Sequence, residues 1–254
     1  VKLLGSLGSV YYDLGQLRQA IEYYEQDLAI AREIGNRRGE GTALNNLALA
    51  YADLGGIRRV IEYYEQYLVI AREIGNRRGE GNVYNNLGMA CADLGEIPLA
   101  IEYFEKALVI VREIGDRQGE GNALGNLGNA YANLGETYRA IEHFEQCLTL
   151  HVEIGDRRGE GAALGNLGLA YADLGELHRA IEYYEKALTI AREIGDRRGE
   201  GNALWNKALD LKQLDERAQA IACAEAALQI YEQIEDPWAE KVRARLAQWR
   251  GEKH

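Results

Sequence analysis

His143, Cys147 and His151 follow one another at four-residue intervals, and imidazole and thiolate are the donors that zinc takes. On a helix they share a face, but the outer pair is about 12 Å apart along the axis, too far for one ion. Gly119-Glu120-Gly121 begins like a dinucleotide loop, yet Leu124 holds the place of the last glycine and no strand pattern precedes it. There is no Walker loop, no HExxH and no CxxC, and Ser6 and Ser9 are the only serines. The glutamates fall mainly on solvent faces, so paired-carboxylate chemistry has no support. The expectation is a chain that is not an enzyme and holds no metal and no cofactor.

A different residue type recurs with regular spacing. Asn46, Asn86, Asn126, Asn166 and Asn206 stand 40 residues apart. A side-chain amide both donates and accepts, so a row of them suits the backbone of an extended peptide. The alternative is that each amide bonds within its own helix or across to the next repeat.

The elements that carry these residues follow from the same period. Ile-Gly-Asp/Asn-Arg-Arg/Gln-Gly-Glu-Gly returns at Ile34, Ile74, Ile114, Ile154 and Ile194, always 40 residues on, and a fixed period of this size marks a repeat array. Six copies are expected at 1–40, 41–80, 81–120, 121–160, 161–200 and 201–236, followed by a capping helix and tail at 237–254. The sixth is degenerate, with Leu214-Asp215 in place of Leu-Gly.

Each copy reads as two helices, A then B. In copy five, Ala163, Leu164, Leu167, Gly168, Ala170, Tyr171 and Leu174 fill one side of helix A. Gly175 is placed to end it in the left-handed conformation. Helix B is expected to bury Ala180, Ile181, Tyr184, Ala187, Leu188, Ala191 and Ile194, with Glu182 and Lys186 paired on its solvent side. Gly195 ends helix B and Asp196 caps the next helix A. Glycine inside a helix costs about 1 kcal/mol against alanine, so Gly168 and its equivalents imply that helix B approaches too closely for a methyl group. Asp236 as N-cap, Pro237 at the first helical position, then Trp238, Val242, Leu246 and Trp249 describe the capping helix.

Composition narrows the class. Two prolines and no Asn-Gly or Asp-Gly pair among 254 residues indicate an all-α chain. A formal charge of -11 makes nucleic acid an unfavourable partner. No run of 18 apolar residues is present, so no membrane span is expected. Cys91, Cys147 and Cys223 are scattered, as in a reducing, cytoplasmic compartment. The chain opens on Val1 rather than Met, the expectation for a piece of something longer.

The pattern W-x2-L-G-x2-Y…A-x3-F is met by Leu164, Leu167-Gly168, Tyr171, Ala180 and Tyr184, and by Leu124, Leu127-Gly128, Tyr131, Ala140 and Phe144. The chain therefore resembles the tetratricopeptide repeat family. It departs at the first Trp, mostly Leu here, and at the terminal Pro, which is missing. The 40-residue repeats are similar to those of Pins/LGN adaptors and of bacterial regulatory arrays. The resemblance implies an α-solenoid, a right-handed superhelix of six helix-turn-helix repeats, with the A helices lining a concave face.

That face is expected to bind a peptide or protein segment, as an adaptor or scaffold does. Its outward residues are Asn46 in copy two, and Arg78, Asn82, Asn85, Asn86, Met89 and Asp93 around copy three. Copy four adds Asn122, Asn126 and Asn129, and copy five adds Arg158, Asn166, Leu169 and Asp173. Arg198, Asn202, Trp205 and Asn206 complete it. Trp205 is expected to be exposed, as an aromatic anchor, or else packed against the capping helix. One outward column varies as Gly5, Asn45, Asn85, Gly125, Gly165, Trp205. By contrast, Glu40, Glu80, Glu120, Glu160 and Glu200 never vary and are read as structural. Arg37 and Arg77 are expected to pair with neighbouring glutamates (Glu33 and Glu73, or Glu40 and Glu80). Two other roles stay open: the sensor or autoinhibitory arm of a larger bacterial signalling ATPase or effector, and a rod that self-associates through the uncapped first repeat.

Overall fold

The computed structural model describes residues 2–251. Val1 and the tail at 252–254 lie outside them. The described residues form thirteen α-helices and no strand. These are α1 (Lys2–Asp13), α2 (Leu17–Glu33), α3 (Arg37–Asp53), α4 (Ile57–Glu73), α5 (Arg77–Asp93), α6 (Ile97–Glu113) and α7 (Arg117–Asn133). They are followed by α8 (Thr137–Ile154), α9 (Arg157–Asp173), α10 (Leu177–Ile194), α11 (Arg197–Gln213), α12 (Arg217–Gln233) and α13 (Trp238–Arg250). The chain divides into two compact units, Val1–Asn126 and Leu127–His254. Within each, helices that follow one another in the chain pack together, α1 through α6 in the first and α8 through α13 in the second.

Local chemistry sets the helix ends. Asn36, Asn76, Asp116, Asp156 and Asp196 each accept the backbone N–H three residues on, from Gly39, Gly79, Gly119, Gly159 and Gly199, at 3.0 Å. Gly175 closes α9 at φ +77°. Two ends lack a glycine: Asp215 and Glu235 hold φ of 62° and 53°, where a Cβ is disfavoured. Both fall in the degenerate sixth copy.

In the first unit, Ala20, Ile21, Tyr24 and Leu28 of α2 pack with Ala43, Leu44, Leu47 and Ala50 of α3. In the second, α11 and α12 share a core with Val242 and Leu246 of α13. The close approach expected at the internal glycines is present. A Cβ at Gly168 would lie 2.4 Å from Tyr184 Cε1, and one at Gly88 would lie 2.5 Å from Phe104 Cε1. An aromatic pair also joins helix A to helix B: Tyr11 stacks on Tyr23 at 5.1 Å and Tyr171 on Tyr183 at 5.3 Å.

Three expectations are corrected. Ile194 is exposed, because it ends α10 and faces an open cleft rather than a neighbouring helix. Trp238 is exposed too: α13 turns Ala239, Val242 and Leu246 inward, and Trp238 instead carries Lys241 Nζ 4.3 Å above its ring. Lys186 does not pair with Glu182 but sits over the Tyr183 ring at 5.1 Å.

Glu40, Glu80, Glu120 and Glu200 each tie one repeat to the next through an arginine of the preceding helix, whereas Glu160, with Val152 in that arginine's place, pairs with Arg157 of its own helix. Buried Glu40 accepts from Arg32 Nε at 2.9 Å and from Arg37 Nη1 at 2.6 Å. Burial alone raises its carboxyl, but the two arginines outweigh burial and hold it below the usual range. Arg37 also bonds Glu73, and Arg77 bonds Glu113. Each arginine thus reaches the glutamate 36 residues ahead of it rather than the one before it.

Candidate functional site

The outward residues of the A helices divide into those spent on the fold and those left open. In the first unit, Asn86 donates from Nδ2 to Tyr64 OH at 3.1 Å, and Asn126 donates to Asn85 Oδ1 at 2.9 Å. Asn85 in turn lies 3.8 Å from Met89 Sδ. Arg78 Nε is 3.6 Å from Asp116 Oδ2. Asn82, Met89, Asp93 and Asn122 are exposed, and Asn46 is half-buried without a hydrogen bond to its amide. At the last turn of α3, Asp53 accepts from Tyr12 OH at 2.5 Å. That bond, ahead of burial, pushes the Tyr12 hydroxyl up to about 12.

In the second unit, Asn129, Leu169 and Asp173 are exposed. Arg198 pairs with Asp236 at 2.7 Å. Asp236 also accepts from Trp238 N–H at 3.0 Å. The backbone bond first, and Arg198 after it, hold its carboxyl below the usual range against burial. Asn202 Oδ1 accepts from Tyr231 OH at 2.8 Å. The half-buried Asn166 and Asn206 make no hydrogen bond from their amides, and exposed Arg158 has no carboxylate at ion-pair distance.

Trp205 is not exposed. Only 8% of its surface is accessible, because its ring stacks on Trp249 of α13 at 5.8 Å and 16°. The cap supplies a flat aromatic partner at the one copy where this column holds a large side chain.

Helices α9, α10 and α11 enclose a cleft of about 350 Å³. Leu169, Ala187, Ile190, Ala191 and Ile194 are among its apolar lining, and Arg158, Asn166 and Asn206 among its polar lining. Gly165 is part of the same lining, and a Cβ there would meet nothing within 4 Å. Lining residues from helix B and the gap at Gly165 were not among the site residues expected from sequence. The only signal was the Gly–Asn–Trp variation of that column.

The three residues that resemble a metal set are each otherwise engaged. His143 stacks on Tyr131 at 5.3 Å, in the position of the Tyr23 and Tyr183 rings. Cys147 is buried, and burial pushes its thiol up to about 11. His151 Nδ1 lies 3.0 Å from Asp156 Oδ2. Asp210 is a further polar residue in the core, 4% accessible, with Oδ2 unpartnered. Burial, then the charge of Asp173, push its carboxyl up to about 6. Among the described residues no helix is long and apolar enough to cross a membrane.

A tetratricopeptide repeat family model matches residues 1–73, 79–153 and 159–233. No curated protein gives a match. Among solved structures, BtubC from P. vanneervenii is similar at 20% identity and a TM-score of 0.76, over 86% of this chain and 92% of that one. A signal transduction ATPase of Pyrococcus horikoshii with a tetratricopeptide repeat sensor is similar at 19% identity and 0.75, over 97% of this chain and 42% of that one. A Rap protein in complex with competence and sporulation factor is similar at 17% identity and 0.65, over 98% and 74%. At these identities the likeness is one of fold. With three tandem matches along most of its length and stacked helical hairpins in both units, the chain belongs to the tetratricopeptide repeat family.

Proposed function

We propose that this chain is a protein-interaction module that takes a peptide or protein segment on the outward faces of its A helices. We read it as six copies over 1–236, closed by 237–254. No reaction is assigned to it. The observation that carries the reading is the pair Asn166 and Asn206: half-buried amides with unspent hydrogen-bonding capacity in a cleft with apolar lining. Neither amide is among the buried unpartnered groups, so both are open to solvent and within reach of a guest backbone, which an amide can meet as donor and as acceptor. Asn86 and Asn126 keep one free oxygen each but also hold the fold, so they make a lesser share of the surface. A random peptide library selected against the purified chain tests the reading. Enrichment of related sequences that compete with one another in solution supports it, and no enrichment counts against it.

Two further readings have support. The similarity to the Pyrococcus horikoshii protein fits a sensor arm within a longer signalling protein, since that chain is matched over 42% of its length. Self-association is favoured by the first hairpin, where Leu3 and Val10 of α1 and Leu14 just after it are exposed. Val10 stands where later copies bury Ala50, Ala90, Ala130 and Ala170. Sedimentation at rising concentration separates this reading from the others, because a constant monomer mass excludes it.

A further inference from the structure

We infer that the cleft between α9, α10 and α11 is a selectivity pocket for a single bulky apolar side chain of a bound peptide, and that glycine at position 165 is what opens it. The inference rests on the peptide-binding reading above and adds which side chain is chosen and where.

The repeats supply an internal comparison. Position 165 corresponds to Asn45 and Asn85 in copies two and three and to Gly5 and Gly125 in copies one and four; at Gly5 a Cβ would meet Asp27 Oδ2 at 3.1 Å, whereas at Gly165 the space is open. In copy three the amide is engaged in place, with Asn85 Nδ2 against Met89 Sδ at 3.8 Å and Asn85 Oδ1 accepting from Asn126. In copy five both partners change: Gly165 has no side chain, Leu169 replaces Met89, and nothing within 4 Å occupies the space a Cβ would enter. Glycine within a helix is disfavoured against alanine. At Gly168 that cost is explained by the Tyr184 ring 2.4 Å from a notional Cβ. At Gly165 no neighbour explains it.

The lining matches the guest. Leu169, Ile190 and Ile194 give the cleft an apolar lining, and Ile194 is exposed there although the sequence pattern would bury it. Burial of apolar area is favourable in proportion to the area removed from water, so a large aliphatic or aromatic side chain gains and a small or charged one does not. Asn166 and Asn206 belong to the same lining and offer amides to a guest's own backbone. Polar groups placed around an apolar recess are the usual build of a small ligand site.

The test uses three capped amino acids on the full chain: N-acetyl-leucinamide, N-acetyl-tryptophanamide and N-acetylglycinamide. Binding is read from methyl NMR shifts of Leu169, Ile190 and Ile194. The leucine and tryptophan compounds are expected to shift these methyls saturably, and the glycine compound is not. Gly165→Asn is expected to fold, since asparagine stands at 45 and 85 on the same helix face, and to weaken both by about tenfold. Gly165→Ala, whose Cβ meets nothing, serves as a second variant with a smaller loss. Equal shifts in wild type and Gly165→Asn, or shifts spread away from these three residues, would overturn the pocket. If the peptide library enriches sequences with no apolar preference, and none that Gly165→Asn alters, the pocket fails while the interaction module stands. Failure of the library with the capped compounds still binding at Leu169 has the opposite meaning.

Discussion

Trp205 of α11 and Trp249 of α13 lie face to face, ring centroids 5.8 Å apart and planes 16° from parallel. The capping helix therefore seals the last repeat with an aromatic lid. Trp249→Ala should destabilise the second unit by about 3 kcal/mol and shift tryptophan emission to the red as Trp205 meets water. Unchanged emission would show that the stack does not persist in solution.

Asp215 holds a left-handed backbone at φ 62° where the equivalent position in earlier copies is glycine. Asp215→Gly should raise stability by about 1 kcal/mol. A thermal melt that moves down instead would place an unrecognised contact on the aspartate.

Asp210 gives the fold a pH dependence of definite sign. Burial first and Asp173 second raise its carboxyl to about 6 in the folded state. A raised folded value means that the folded state holds the proton more tightly than the unfolded one. Its contribution is complete below the unfolded value near 4 and is lost as pH climbs through about 6. Asp210→Ala, the residue at this place in copies two to five, should be more stable than wild type at pH 7 by about 2 kcal/mol. The gap should close toward pH 4. A gap that stays constant with pH would exclude the carboxyl as its cause.

Glu80 sits buried between Arg72 Nε at 3.0 Å and Arg77 Nη1 at 2.5 Å. Glu80→Ala should cost about 1–2 kcal/mol, discounted because both arginines are half in water. Arg77→Ala should cost less, since Arg72 still satisfies the carboxylate. Chemical denaturation of the two variants ranks them.

Much of the fold is legible in the residues. The 40-residue recurrence of Ile-Gly-Asp-Arg sets the hairpins. Asp196 caps Gly199 and Gly175 turns left-handed as their types require. Gly168 faces the Tyr184 ring that its presence in a helix implies. The site is less legible, because it depends on distances between repeats. Nothing along the chain says that Asn86 reaches Tyr64 or that Asn126 reaches Asn85, and both amides are thereby partly withdrawn from the surface. The burial of Trp205 needs the position of Trp249, and the pairing of Arg37 with Glu73 needs the next helix B in place. The cleft at Gly165 is an absence of atoms, which a helical pattern does not express.

The most direct measurement is titration calorimetry of a library-selected peptide against wild type and the Asn166→Ala/Asn206→Ala double variant, with thermal melts of both. The expected result is a loss of affinity of about tenfold or more at unchanged melting temperature. Equal affinity in the two proteins would contradict a binding surface built on these amides.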